Sequence, residues 1–296
     1  MDILPQLLVN ALISGSIYAL ASSGLSLTYG LLKILNFAHG HFMMIGAYAV
    51  YFAFHMMGWG WLGSVAFSVG ASLLVGWLSL RIFIFPFRTL HPLLPFVTTL
   101  TLGTILESAV AMIFGVNVKS ISPSASIDSI EIAGIFITPI QIVIIGSAIG
   151  LLSLLAFFIH STAAGRKIRA LAQHEHAAES ISISSGRTVT MVFLCATLLT
   201  AYSGVLVGME TNVQPTMGSS YTIKAFAAMI LGGLGNVWGT VAGSFILGLV
   251  ENLSIGIDFF GYSLPAGYKD AFAFVIILGV LLFRPQGMFG SKLRVA

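Results

Sequence analysis

The 296-residue chain is 57% apolar and only 8% charged, whereas a soluble globular chain carries about 25% charged residues. That composition excludes a soluble domain and reads as an all-α integral membrane protein, one domain over residues 1–296, with room for about eight spans of ~20 residues. The net charge of +3 sits mostly in loops and does not indicate nucleic acid, and the single Cys195 lies in an apolar run, so neither an internal disulfide nor a metal framework is expected.

Residues 4–29 open the chain as an apolar run with no Lys or Arg ahead of it. A secretory signal needs a positive leader and a small-residue cleavage site, so this reads as a retained first span. Gly15, Ala19 and Gly24 line it, small residues that let another helix come close. A polar patch follows: Lys33, then Asn36, Phe37, Ala38, His39, Gly40 and His41, opening the run 42–56. At membrane depth such a patch must face protein or a water-filled cavity; at the surface it is only a short turn. Both readings stay open. Residues 61–85 form the next span, ending at Arg81 and Arg88 with Pro86 breaking the helix. The span 92–114 holds Glu107, a lone carboxylate that either serves function or pairs with a Ser, Thr or Asn on a neighbour. Residues 116–138 contain Pro123, several Ser, Asp128, Glu131 and one Lys, and read as an outside loop with a short alternating stretch at 127–137.

The span 139–159 leads into the longest polar interval, 161–187, which carries Arg166, Lys167, Arg169, His174, Glu175, His176, Glu179 and Arg187. Loops of this length are usually functional, although a basic loop that only fixes orientation is the plainer reading. The internal pattern argues for more. Ile168, Leu171 and Ala172 recur at helical spacing, and Arg169, Gln173 and His176 do so on another face. An amphipathic helix on the membrane surface, offered to a partner, is expected. After a span at 188–209, the apolar stretch 221–231 is short, and Gly232, Gly233, Gly235 and Asn236 interrupt it before 237–250 resumes. A discontinuous or re-entrant helix has this pattern, and so does a tight turn between ordinary spans. The last span, 268–283, ends at Arg284-Pro285 before a short basic tail.

Nine of the 13 Lys and Arg lie in three places: Arg81 and Arg88, four in the central loop, and Arg284, Lys292 and Arg294. The positive-inside rule puts all three on the cytoplasmic side. The side of the N-terminus stays open, because it depends on whether the broken helices cross fully. No phosphate-binding loop occurs, and the glycines near Gly233 lack dinucleotide spacing. An intramembrane serine protease would place Gly two residues before Ser203, where this chain has Ala201. The scattered His residues offer no metal pair. Neither an enzyme nor a cofactor is expected.

Several motifs recur together: 15–20 (Gly-Ser-Ile-Tyr-Ala-Leu), 36–40 (Asn-Phe-Ala-His-Gly), Gly165-Arg166 with Arg169-Ala170, 231–235 (Leu-Gly-Gly-Leu-Gly), Tyr268-Lys269-Asp270 and 284–287 (Arg-Pro-Gln-Gly). Jointly they resemble the permease subunits of bacterial branched-chain amino acid ABC importers, the LivH type, over nearly the whole length. The resemblance implies a multi-pass protein of the bacterial inner membrane, working as a dimer with a LivM-type sister permease or with itself. It also implies two cytoplasmic ATPase subunits and a periplasmic or extracellular binding protein. The central loop would be the helix that couples to an ATPase, through Gly165, Arg166, Arg169, Ala170, Ala178 and Ile183. Ala170 and Ala178 are expected as close contacts, and Arg166 and Arg169 as partners for acidic groups. Two departures stand out: Ser182 replaces the usual Gly before Ile183, and the run 173–176 (Gln-His-Glu-His) is unusually polar. Relatives also carry urea, amides or other small polar solutes. A stand-alone carrier or channel is the competing class, but it needs paired buried carboxylates, and Glu107, Glu210 and Glu251 are isolated in sequence, with Lys269 beside Asp270. The solute route is expected past the two interrupted regions, at Asn36, His39 and Gly40 and at Gly232, Gly233, Gly235 and Asn236, where freed backbone groups need water or protein beside them.

Overall fold

A computed structural model describes residues 3–88, 90, 93–121, 129–132, 134–256, 258–259, 262–263 and 269–290. Pro92, Pro123, Ile127, Asp128, Tyr268, Lys292 and Arg294, together with the side chains of Lys269 and Asp270, lie outside the described residues.

Apolar runs become helices because a bilayer leaves each backbone N–H and C=O no partner but its own helix. In order these are α1 (Leu4–Leu32), α2 (His39–Tyr51), α3 (Trp61–Ser79), α4 (Leu93–Phe114), α5 (Pro139–Ser161), α6 (Ala163–Gln173), α7 (Glu175–Ser180), α8 (Ser185–Glu210), α9 (Met217–Gly232), α10 (Val237–Gly256) and α11 (Lys269–Phe283). Two of them widen at their ends into π-helix, α2 over Phe52–Met56 and α3 over Leu80–Ile84. The alternating stretch after α4 forms a small antiparallel hairpin, β1 (Ile130–Ile132) with β2 (Ile135–Ile137). A second, shorter hairpin pairs β3 (Asp258–Phe259) with β4 (Tyr262–Ser263). Among the described residues, α1, α3 with its π extension, α4, α5, α8 and α10 are long and apolar enough to cross a membrane. The shorter α2 and α9 are the broken elements of the bundle. This is the polytopic helical membrane fold that the composition leads one to expect.

Helix ends follow local chemistry. Thr138 and Gln141 cap α5 reciprocally, each side chain accepting from the other's backbone N–H, and Pro139 occupies a first-turn position that needs no N–H. Small residues then set the packing. α8 is the most enclosed span, and it lies so close to α1 and α2 that a Cβ on Gly204 would overlap the Met43 carbonyl, and one on Gly46 the Ala201 carbonyl. Such contacts, not water release, hold helices together in lipid.

The loops at one end of the bundle meet. Lys33, His160, Arg169, Asn236 and Trp238 line a single 390 Å³ cavity there, and Ile34, Arg88, Glu175 and Ser185 a smaller one. Most of the basic side chains gather at this end, which the positive-inside rule makes cytoplasmic. Helix α1 ends here and so begins at the opposite end of the bundle.

Candidate functional site

The central loop folds back onto the bundle as two helices. Thr162 breaks the chain after α5; its hydroxyl donates to the Phe158 carbonyl (2.6 Å) and accepts from the Gly165 N–H (3.0 Å). Any Cβ on Gly165 would overlap the carbonyls of Phe158 and Ile159, so only glycine lets α6 start this close to α5. Ile168 and Leu171 face inward and are buried. Arg166, Lys167, Gln173 and His174 are exposed and Ala170 half-buried, at the i, i+3, i+4, i+7 spacing of one outward stripe. Arg169 does not belong to that stripe. Its guanidinium donates to the Ile159 carbonyl, satisfying an orphan acceptor at the α5 C-terminus, where positive charge is favourable.

Helix α7 closes with a backbone lock. Ser182 N–H donates to the Glu179 carbonyl (2.9 Å) and Ile183 N–H to the Ala178 carbonyl (3.1 Å), the paired bonds of a Schellman ending. That ending requires a left-handed residue, and Ser182 has φ 66°. The usual Gly at this position thus has a backbone reason, which Ser meets with strain. Ala178 is buried at the third residue from the end of this helix, and Ile183 is half-buried against the same lock. Ala178 therefore faces its own chain, which corrects the expectation of a close contact with a partner. Glu175 ties the loop down by accepting from the Ser185 hydroxyl (2.5 Å) and lying 3.9 Å from Arg88.

At the first break, residues 33–38 climb back into the bundle. Leu31 to Ile34 sit beside Leu171 and Glu175 at the cytoplasmic end, yet His39 Nε2 lies 2.8 Å from the Ala21 carbonyl. Ala21 stands about 16 Å up α1 from Leu32 at ~1.5 Å per residue. Helix α2 thus starts inside the membrane, and the Asn36 and His39 patch is deep, not a surface turn. The Thr200 hydroxyl donates to the Ala196 carbonyl, so its oxygen accepts from His39 Nε2 (2.8 Å), the same N–H that points at Ala21. His39, buried, pins α2 between α1 and α8. The Gly40 N–H donates to the Thr222 hydroxyl (3.0 Å), and its missing side chain lets α2 touch α9. Asn36 Oδ1 accepts from the Ala38 N–H (3.1 Å), while its buried Nδ2 has no partner among the described residues.

Two residues beyond His39, His41 of α2 meets Glu107 of α4 and Ser219 of α9. His41 Nε2 lies 3.4 Å from Glu107 Oε2, to which the Ser219 hydroxyl donates (3.1 Å). Glu107 is 28% exposed and Ser219 is open to the outside of the bundle. Thr101, Thr104 and Ser108 of α4 and Ser220 of α9 are exposed as well, with Thr101 and Thr104 donating to carbonyls of their own helix.

The second break differs. Gly233 (φ 110°) and Gly235 (φ 78°) make a tight turn, and the terminal carbonyls of α9 accept from the C-terminal segment, Leu231 from Met288 N–H (2.8 Å) and Gly232 from Phe289 N–H (3.2 Å). Asn236 caps α10, accepting from Gly239 N–H (3.1 Å), and donates to the Phe289 carbonyl (3.0 Å). Gly232 and Gly239 cross too closely for a side chain on either. The turn lies at the cytoplasmic end beside Lys33 and Arg169: Gly235 and Asn236 line the cavity there, and Gly232 and Gly233 are buried next to it.

One site escaped the sequence. Glu251 of α10 is 3.1 Å from Lys224 Nζ of α9 and accepts from the Tyr18 hydroxyl of α1 (2.7 Å), all three buried. Lys224, a lone cation in an apolar run, was the available signal, since such a group needs a carboxylate on a neighbour.

Comparison with known proteins accounts for this architecture. The family described as "Branched-chain amino acid transport system / permease component" matches residues 7–281. The high-affinity branched-chain amino acid transport system permease protein BraD of Pseudomonas aeruginosa is 32% identical over 96% of this chain and 95% of its own. LivH of Escherichia coli K12, a permease protein of a system with the same description, is 31% identical, again over 96% and 95%. Among solved structures, PsaBC from Streptococcus pneumoniae in complex with Fab shares the fold at TM-score 0.50 and 15% identity, over 94% of this chain and 91% of that one. By its sequence matches the chain belongs to the family of branched-chain amino acid transport permease components.

Proposed function

We propose that the chain forms half of a translocation pore in an ATP-driven importer of branched-chain or similar small amino acids, in the bacterial inner membrane. One observation carries the pore reading: the part-exposed Glu107 with the exposed Ser219 on facing helices, flanked by exposed hydroxyls of α4 and α9, beside the deep start of α2. Thr101 and Thr104 donate to carbonyls of their own helix, but a part-exposed carboxylate at Glu107 is costly against lipid, so this face needs water or another subunit. The family supports the rest. The second half would be a LivM-type sister permease or a second copy, with two ATPase subunits on the cytoplasmic side and a binding protein outside.

Within this reading the residues divide their roles. Arg166 and Ala170, with Lys167 and Gln173, present the coupling face to an ATPase. Gly165, Arg169, Ala178 and Ile183 hold that face in place. The route passes Asn36 and Gly40 toward Glu107, with His39 anchoring α2; Gly232, Gly233, Gly235 and Asn236 shape its cytoplasmic mouth. Reconstituted with its partners, the protein should accumulate labelled leucine only when ATP and binding protein are both present. Uptake by this chain alone on an ion gradient would instead make it a carrier, and uptake of urea or amides without leucine would reassign the solute.

A further inference from the structure

Helix α8 carries two adjoining hollows on its outward face. One, of 810 Å³, lies against α3; at its mouth are Arg81, Arg187, Ser184 and Gly186, and deeper down it is lined by Leu194 and Leu198. The other, of 340 Å³, lies against α5, shares Cys195 and Leu198 with the first, and is otherwise almost wholly carbon, through Leu151, Leu154 and Phe158. The two arginines are unlike their neighbour Arg88, which faces Glu175. Among the described residues neither Arg81 nor Arg187 lies within ion-pair distance of a carboxylate. Arg81 instead rests over the rings of Trp77 (5.9 Å) and Phe85 (5.6 Å), which hold it at the groove mouth. The first turn of α8 opens onto the same mouth, and its amide dipoles also favour an anion.

We propose that this groove holds one anionic phospholipid of the cytoplasmic leaflet, its phosphate between Arg81 and Arg187 and its two acyl chains in the two hollows. The dimensions fit. From Arg187 to Leu198 the helix rises about 16 Å, close to half of the ~30 Å hydrocarbon core. The chemistry fits as well: two uncompensated cations at the headgroup level above apolar walls match an amphiphile with an anionic head, and basic pockets between helices on this side are favourable for such lipids. A wholly apolar partner helix would fill the hollows but leave both guanidiniums without an acid. The polar face of α4 and α9 is a different surface and remains available to a second permease.

The test is native mass spectrometry of the full chain extracted from membranes containing phosphatidylglycerol and phosphatidylcholine. Wild type should retain one phosphatidylglycerol in preference to phosphatidylcholine. The R81Q/R187Q double variant should lose that retention at least tenfold, while R166Q/K167Q, with the same charge removed from the coupling face, should keep it. Leu198→Trp, which narrows both hollows and leaves the charges intact, should also lower retention, and it covers the case in which the double variant folds poorly. Equal retention in wild type and R81Q/R187Q would overturn the site, and so would an equal loss in R166Q/K167Q. Equal retention of phosphatidylcholine would remove the role of the arginines, and a groove-dependent dimer without lipid would assign the surface to a second copy.

Discussion

The Lys224–Glu251 pair offers the sharpest test of how this bundle is held together. Lys224 Nζ is 3.1 Å from Glu251 Oε1, and both residues are buried, 8% and 2% exposed. At that separation and an effective dielectric of about 20 the attraction is about 5 kcal/mol, most of which offsets the desolvation of the two charges. Removing one partner is different, because it leaves the other charge without its compensation. Lys224→Met should therefore cost about 3–5 kcal/mol, against a total stability of about 5–15 kcal/mol. An ordinary hydrogen bond between membrane helices is worth only about 0.6 kcal/mol on average, so the two accounts are well separated. Glu251→Gln keeps an acceptor for the Tyr18 hydroxyl, and the Lys224→Met/Glu251→Gln double variant should recover much of the loss. Thermal unfolding of all four proteins in one detergent gives the coupling energy directly. Additive losses, or a loss below about 1 kcal/mol for Lys224→Met, would refute the claim that charge compensation joins α9 to α10.

Ser182→Gly should raise stability by roughly 1 kcal/mol, because φ 66° is strained for Ser and free for Gly; slower hydrogen exchange at the Ile183 amide would register it. Gly204→Val drives a side chain into the Met43 carbonyl, so a loss of about 1–3 kcal/mol or more is expected, visible as a lower melting temperature. Arg166→Glu should reduce ATPase co-purification, by up to the ~2–5 kcal/mol of a desolvated interface pair, and leave the melting temperature unchanged; Arg169→Glu should lower the melting temperature as well, because it frees the Ile159 carbonyl. In a Cys195→Ala background, Ser219→Cys should react with a water-soluble thiol reagent at a rate that depends on the ATPase state. Silence at position 219 in every state of an active complex would take the route away from this face.

The spans were legible because lipid imposes one demand on every one of them. The run 4–29 became α1 over Leu4–Leu32, and 139–159 became α5 over Pro139–Ser161. The amphipathic α6 was equally visible, since Ile168 and Leu171 repeat at the period that buries one face. What each charged residue does was less legible. Arg169 sits among other basic residues in a loop, and periodicity gives no hint that its partner is a carbonyl at the end of the preceding helix. Glu251 looked isolated because Lys224 and Tyr18 reach it from two other helices. Glu107 was recognised as unusual, but its neighbours His41 and Ser219 come from far along the chain, and pairing across helices leaves no trace in local spacing.

The two breaks show most clearly what local pattern leaves out. Both are short polar or glycine-rich interruptions, and both suit a re-entrant helix. Reach separates them. The six residues 33–38 extend at most about 20 Å, enough to return from the cytoplasmic end of α1 to the depth of Ala21, about 16 Å away. The four residues 233–236 extend at most about 13 Å, and neighbouring helix axes lie 8–10 Å apart, so nearly all of that length goes into crossing from α9 to α10. A break of that size can only turn. Left-handed glycines suit a turn, whereas the longer break carries Asn36 and leads into His39, side chains that can satisfy backbone groups where no water reaches. The length of an interruption, more than its glycine content, therefore decides its depth. On that argument the non-helical backbone at membrane depth belongs to residues 33–38 before the buried start of α2, and Glu107 and Ser219 lie next to it for a physical reason: a half-helix that begins inside the membrane needs polar neighbours there.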